Sequence, residues 1–201
     1  MSWYDINTNA NTETKNEYLK RIKYETIICK KAKSFMDIVD GELSEGIQYR
    51  IVTENSFNAI TVIEYLTKYY KIISIDLAIY RMNLNAVNYL KKIIESESIK
   101  CNIVLSSFFR ENKRYEKWAN DIIEFSNKNK KTKVLFAWNH AKVFLANTKC
   151  GKYIVFEGSG NLSDNARIEQ YIIENNQETY NFHKKWIHDI LNDENRQRKQ
   201  R

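Results

Sequence analysis

From Tyr49 to about Asn127 the chain repeatedly exchanges one hydrophobic period for another, and this alternation constrains its fold more than any other feature. YRIVT (Tyr49–Thr53) reads as a short strand, and Ser56 then suits the cap of a helix carrying Ile60, Ile63, Tyr65 and Leu66 toward Tyr70. KIISIDLAIY (71–80) is an almost unbroken apolar, β-branched run, the pattern of a strand buried on both faces. The spacing predicts a helix over 84–96, a second buried strand in CNIVLSSFF (101–109), and a helix from Glu111 to about Asn127 with Tyr115, Trp118, Ile122 and Phe125 in its apolar stripe. Strands exchanged for helices in this way predict an α/β layered sandwich, with a mixed, largely parallel sheet flanked by helices and right-handed crossovers.

After Lys133 the pattern changes. VLFAWNHAKVFLA runs on, turns at NTKCG and returns as KYIVFEG, a β-hairpin rather than another crossover. With 201 residues, no proline and no internal repeat, the chain suits one core. The expected organisation is a polar N-terminal segment over 1–45, including a helical extension from Glu17 to about Phe35, a core domain over 46–190, and a basic tail over 191–201. DGELSEG (40–46) supplies the turn-rich entrance to the core.

Composition narrows the class without naming a task. No window approaches the roughly 18 uninterrupted apolar residues of a membrane span, and the N-terminal sequence lacks the basic and apolar regions of a secretory signal. Cys29, Cys101 and Cys150 are scattered, which argues against a disulfide framework or a zinc knuckle and fits reduced thiols in a cytoplasmic protein. The net charge of +7 suits an anionic partner such as nucleic acid, but four of the basic residues crowd into ENRQRKQR at the end, so the plainer reading is general solubility and tail.

Chemistry concentrates in Trp138–Tyr171. A chain with only five glycines places Gly158 and Gly160 on either side of Ser159, with Asn161 next. The hairpin brings the far ends of its strands together, so His140 and Lys142 on the first meet Gly158, Ser159 and Asn161 after the second. Read as strand residues two apart, His140 and Lys142 project to one face. An ammonium, an imidazole, a hydroxyl and an amide beside glycines that let the backbone approach an anion form a donor set suited to phosphate.

HAK followed by GSGN resembles the signature of the phospholipase D superfamily: His-x-Lys, then an Asp, then Gly-Ser-x-Asn. The resemblance covers roughly Gly46 to Ile190. It implies a phospholipase D-like sandwich whose hairpin carries both elements, and covalent phosphodiester chemistry without metal or other cofactor. By that resemblance His140 attacks phosphorus to form a phosphohistidine, Lys142 and Asn161 hold the phosphoryl oxygens, Ser159 supports the pocket, and Gly158 and Gly160 form part of the binding loop. The family pairs two such motifs around one site. This chain has one, which implies a homodimer with the His140 of each subunit facing the other. Asn147 stands where the family shows Asp, and the stretch from Asn147 to Gly158 is longer than in the family. An acidic residue shortly after GSxN often orients the histidine in the family; Glu169 is the first candidate for that role and Glu157 the second.

The expected function is therefore a metal-independent phosphodiesterase, a nuclease acting on DNA or RNA. Two alternatives stay open: a catalytically impaired relative that binds nucleic acid or a protein assembly, and a lipid or small-diester phosphodiesterase, which calls for an apolar entrance beside the site. His183 and His188 are wrongly spaced for a metal pair on one helix face and read as surface or satisfied histidines. Trp138 reads as core rather than as a stacking platform for bases, and nothing around Cys150 marks it as a nucleophile.

Overall fold

The alternation becomes one eight-stranded sheet with helices on both faces in the computed structural model, which describes residues 23–29, 34–39, 41–54 and 57–193. The elements are β1 (Lys23–Cys29), β2 (Ile47–Thr53), β3 (Phe57–Asn58), α1 (Thr61–Tyr69), β4 (Ile72–Ile79), α2 (Leu84–Ser96), β5 (Lys100–Ser106), α3 (Ser107–Glu111), α4 (Glu116–Lys128), β6 (Thr132–Ala137), β7 (Lys142–Thr148), β8 (Tyr153–Gly158), β9 (Asp164–Asn165), β10 (Glu169–Asn175) and α5 (Gln177–Leu191). Strand order is β1-β2-β10-β8-β7-β4-β5-β6, with β3 and β9 paired apart from the main sheet. The expected mixed α/β sandwich forms, but its sheet is not largely parallel: parallel ladders occupy only the two flanks, β1 with β2 and β4 through β6. Antiparallel β7, β8 and β10 join those flanks at the centre.

Side-chain alternation along the strands sorts the core into two layers. Ile75, Leu77 and Ile79 of β4, Ile103 and Leu105 of β5, Phe144 of β7 and Phe156 of β8 belong to the cluster that also buries Ile63 of α1, Leu90 of α2 and Ile122 of α4. Ala78, Val104, Leu145 and Val155 point the other way and pack with Tyr180, Ile187 and Leu191 of α5. Asp76, only 1% exposed, sits beneath α5. It accepts from Asn102 Nδ2 at 2.7 Å and lies 2.7 Å from His188 Nε2. His183 Nε2 meets Glu157 at 3.1 Å while its Nδ1 accepts from Trp186 Nε1 at 3.1 Å. Both histidines are thus partnered between the sheet and α5.

Several elements differ from the sequence reading. Lys23–Cys29, expected within a helical extension, is a strand paired in parallel register with β2 from Lys23↔Ile47 to Cys29↔Thr53; Thr26, Ile27 and Ile28 favour that extended backbone. The rest of the expected extension before residue 34, the Ser56 cap and the tail from 194 onward lie outside the described residues. The strand expected over 101–109 stops at Ser106, whose hydroxyl accepts from Phe108 N at 3.3 Å and starts α3, and the following helix begins at Glu116. The run from Val134 to Ala146 is not one strand: β6 pairs with β5 at the sheet edge, and β7 pairs with β4 and β8 at the centre. Among the described residues no helix is long and apolar enough to cross a membrane.

Candidate active site

The carboxyl ends of β4, β5, β6 and β8 and the amino ends of β7 and β10 meet along one edge of the sheet. The register places Ile79 opposite Lys142, Val143 opposite Glu157, and Gly158 opposite Tyr171. In open α/β sheets, ligands bind at such a carboxyl edge, where connections diverge. Here the chain crosses from β6 over the ends of β5 and β4 to reach β7, and His140 lies on that crossing.

Asn139 makes the crossing possible. Its Nδ2 donates to Ile79 O at 3.3 Å and Val104 O at 3.2 Å, the last turns of β4 and β5, while Oδ1 accepts from Ala141 N at 2.8 Å. A short amide side chain that bonds the backbone two residues on is a turn former, and this one replaces ladder bonds the strand ends lack. His140 is therefore not a strand residue, and the same-face argument does not apply to it. It still meets Lys142: Nζ donates to His140 O at 2.9 Å and lies 3.3 Å from Nδ1. An ammonium has no acceptor, so Nδ1 accepts in this contact. Tyr80 packs against the other side, its ring 4.6 Å from that of His140 and 5.6 Å from Lys142 Nζ.

The glycine-flanked loop follows β8. Ser159 Oγ donates to Glu169 Oε2 and accepts from Gln170 N at 3.0 Å. Asn161 Oδ1 accepts from Arg81 N at 3.3 Å, and Asn161 O accepts from Asn165 Nδ2 at 3.0 Å. Both glycines are required by close approach. A Cβ on Gly158 would collide with Gln170 O and lie 2.7 Å from Tyr171 Cδ1, and one on Gly160 would collide with Tyr171 Oη. Burial holds the Lys142 ammonium below the usual lysine range, opposed by Glu169 and reinforced by Arg81, so both charges act on the group that touches His140. Burial chiefly, with Glu169 adding to it, raises the Tyr171 hydroxyl.

Among the expected site residues, His140 and Lys142 touch, Ser159 and Glu169 touch, and Asn161 joins the loop to the end of β4 through Arg81. Glu169 thus engages Ser159 and the field of Lys142. Glu157 points to the opposite face and pairs with His183 under α5. Asn147 lies at the far end of β7, five residues and about 17 Å of strand from Lys142. Its side chain shares the α5-facing parity of Val143 and Leu145, so the residue at this position is remote from His140.

Tyr80, Arg81 and Phe108 adjoin the site without having been legible as site residues. Their signal was positional: each lies within two residues of the end of a buried strand at the carboxyl edge. Trp138 corrects the reading outright, since it is 89% exposed and not core. Having no strand partner, the crossing turns that side chain outward. Among the described residues no group of three or more His, Cys, Asp or Glu is arranged to hold a metal ion.

Neither a protein-family model nor a curated protein sequence matches the chain. Solved structures do. Nuc from Salmonella typhimurium, a phospholipase D family member, is similar at 16% identity and TM-score 0.51, over 71% of this chain and 93% of that one. Phosphatidylserine synthase from Haemophilus influenzae is similar at 12% identity and TM-score 0.51, over 71% of this chain and 38% of that one. NucT from Helicobacter pylori shows 25% identity and TM-score 0.46, over 59% of this chain and 78% of that one.

Proposed function

Proceeding from the phospholipase D-like fold that this chain has in common with those structures, we infer that it is a phosphodiesterase, a nuclease acting through His140. The observation that carries the reading is the contact of Lys142 Nζ with His140 Nδ1 at 3.3 Å, on the edge where the Gly158–Asn161 loop closes. A phosphate diester drawn to this edge attracts the Lys142 ammonium to its non-bridging oxygens. That releases Nδ1, and the tautomer with its proton on Nδ1 presents the Nε2 lone pair. Nε2 then attacks phosphorus, forming an N–P bond as the P–O bond to the leaving alcohol breaks. Because Asn161 Oδ1 is held by Arg81 N, the amide is oriented so that Nδ2 is the end left to donate to a phosphoryl oxygen. Ser159, fixed between Glu169 and Gln170 N, holds the loop in position.

The leaving alkoxide needs a proton and the phosphohistidine needs a water. One His140 cannot be nucleophile and acid in the same step, so the reading includes a second copy of the chain, its His140 across a two-fold axis donating that proton and then activating water. Of the two features that favour a catalytically impaired relative, Asn147 lies five residues along β7 from Lys142, and the basic tail lies outside the described residues.

The test is turnover of bis-p-nitrophenyl phosphate and of labelled DNA and RNA in EDTA, beside His140→Ala. The expected result is turnover that EDTA spares and the variant loses, with folding and sedimentation unchanged. Turnover in His140→Ala at the wild-type rate refutes the reading.

A further inference from the structure

Beside His140 lies a groove of about 360 Å³ lined by Tyr80, Ser106, Phe108, Trp138, Asn139 and His140. This falls within the range of about 300–1,000 Å³ typical of small-ligand sites. Its walls are ring faces: Phe108 stacks on Tyr80 at 5.4 Å and 12°, and Tyr80 in turn meets His140 at 4.6 Å. The rings therefore lead from the groove to the proposed nucleophile. Trp138 stands on the rim with 89% of its surface in solvent, and Phe108 with 39%. Exposed aromatics gathered at the mouth of a pocket mark a ligand contact, since scattered ones would carry no such alignment. Basic residues lie close by in the chain: Arg81 directly follows Tyr80 and donates from Nη1 to Tyr115 Oη at 3.0 Å, and Arg110, Lys113 and Arg114 are exposed in and just after α3.

We propose that this groove receives an unstacked nucleobase, held against Trp138 and Phe108, and that single-stranded nucleic acid is the polymer whose phosphate reaches His140. The destination of the phosphate rests on the phosphodiesterase reading above; the chemistry of the groove does not. In a duplex, both faces of a base are covered by its neighbours, so only a single strand can lay a base on the indole while basic side chains take the adjoining phosphates. The groove is also the apolar entrance that a lipid substrate calls for, and the vesicle arm of the experiment separates the two. The floor supplies the Ser106 hydroxyl, which accepts from Phe108 N and keeps its proton to donate to the edge of a base.

The experiment measures binding in the His140→Ala background, so that affinity is read without cleavage. Its probes are a labelled mixed-sequence single strand, the matching duplex, an abasic strand of equal length and vesicles of anionic phospholipid. The single strand is expected to bind more tightly than the duplex or the abasic strand. Adding Trp138→Ala weakens the single strand by roughly 5- to 150-fold, the loss from one base–aromatic stack. It leaves the abasic strand unaffected, and Trp138→Phe restores most of the affinity. Three results overturn the proposal: equal affinity for single strand and duplex; a Trp138→Ala protein that binds vesicles less well but the single strand as before; or one that sediments as a smaller species with its affinity per chain unchanged, which assigns the rim to a second copy. Wild-type turnover is read separately. A preference for single strands without turnover on any substrate refutes the hydrolase reading and supports the groove assignment.

Discussion

Gly160→Ala tests how the glycine-flanked loop is seated. The added Cβ would overlap Tyr171 Oη and lie 2.8 Å from Tyr171 Cζ and 3.1 Å from Asn165 Nδ2. The ring cannot withdraw, because Phe57 at 5.2 Å and Phe156, stacked at 5.2 Å, hold it on both sides. Gly160 has no left-handed φ, so the penalty is one of packing and not of backbone conformation. Overpacking of a closed site costs about 1–3 kcal/mol, and the trapped ring places this variant toward about 2–3 kcal/mol. For a chain of this size that lowers Tm by roughly 4–12 °C. A double-mutant cycle isolates the cause. Tyr171→Phe alone deletes the hydrogen bond from Asn165 Nδ2 at 3.2 Å and costs about 0.5–1.5 kcal/mol. In the Gly160→Ala background the same change removes the overlapping oxygen, so it is expected to be neutral or stabilising. Urea unfolding followed by circular dichroism gives all four free energies. A coupling within about 0.5 kcal/mol of zero refutes the steric account.

Three further outcomes follow from the site. Lys142 is charged only below its pKa, which burial lowers; kcat/KM on a diester is therefore expected to fall on the alkaline side at a lower pH than an ordinary lysine gives, and Lys142→Arg moves that limb upward, as a pH profile of both proteins would show. Asn139→Ala strips the donor from Ile79 O and Val104 O and the acceptor from Ala141 N. It is expected to cost about 1–3 kcal/mol in urea and to lower kcat at temperatures well below the melting range, and Asn139→Asp, which keeps the acceptor for Ala141 N but sets a carboxylate oxygen against the Ile79 and Val104 carbonyls, is expected to recover none of it. Asn147→Asp places the carboxylate of the phospholipase D signature about 17 Å along β7 from Lys142, and steady-state assays are expected to find kcat unchanged within twofold.

What the sequence determined was the part governed by local periodicity and covalent neighbourhood. The helix over 84–96 was legible to the residue, because a 3.6-residue apolar stripe is local; the Asn83 side chain that caps it, accepting from Ala86 N, is local too. The buried strand of KIISIDLAIY, that of CNIVLSSFF except for its end, the β7–β8 hairpin and the HAK and GSGN elements were also visible. Tertiary structure decided where an extended run stops and which strand it pairs with. Val134–Ala146 looks continuous, yet it is divided between the sheet edge and centre by bonds from Asn139 to Ile79 and Val104, residues far away in sequence. Lys23–Cys29 became a strand because β2 offered an edge for it. The same long-range placement sent Glu157 to the α5 face, Asn147 to the far end of β7, and Trp138 into solvent beside Tyr80 and Phe108. Which side chains share an edge of the sheet depends on strand order. No spacing along a chain encodes that order, because it is chosen by burial summed over the whole core.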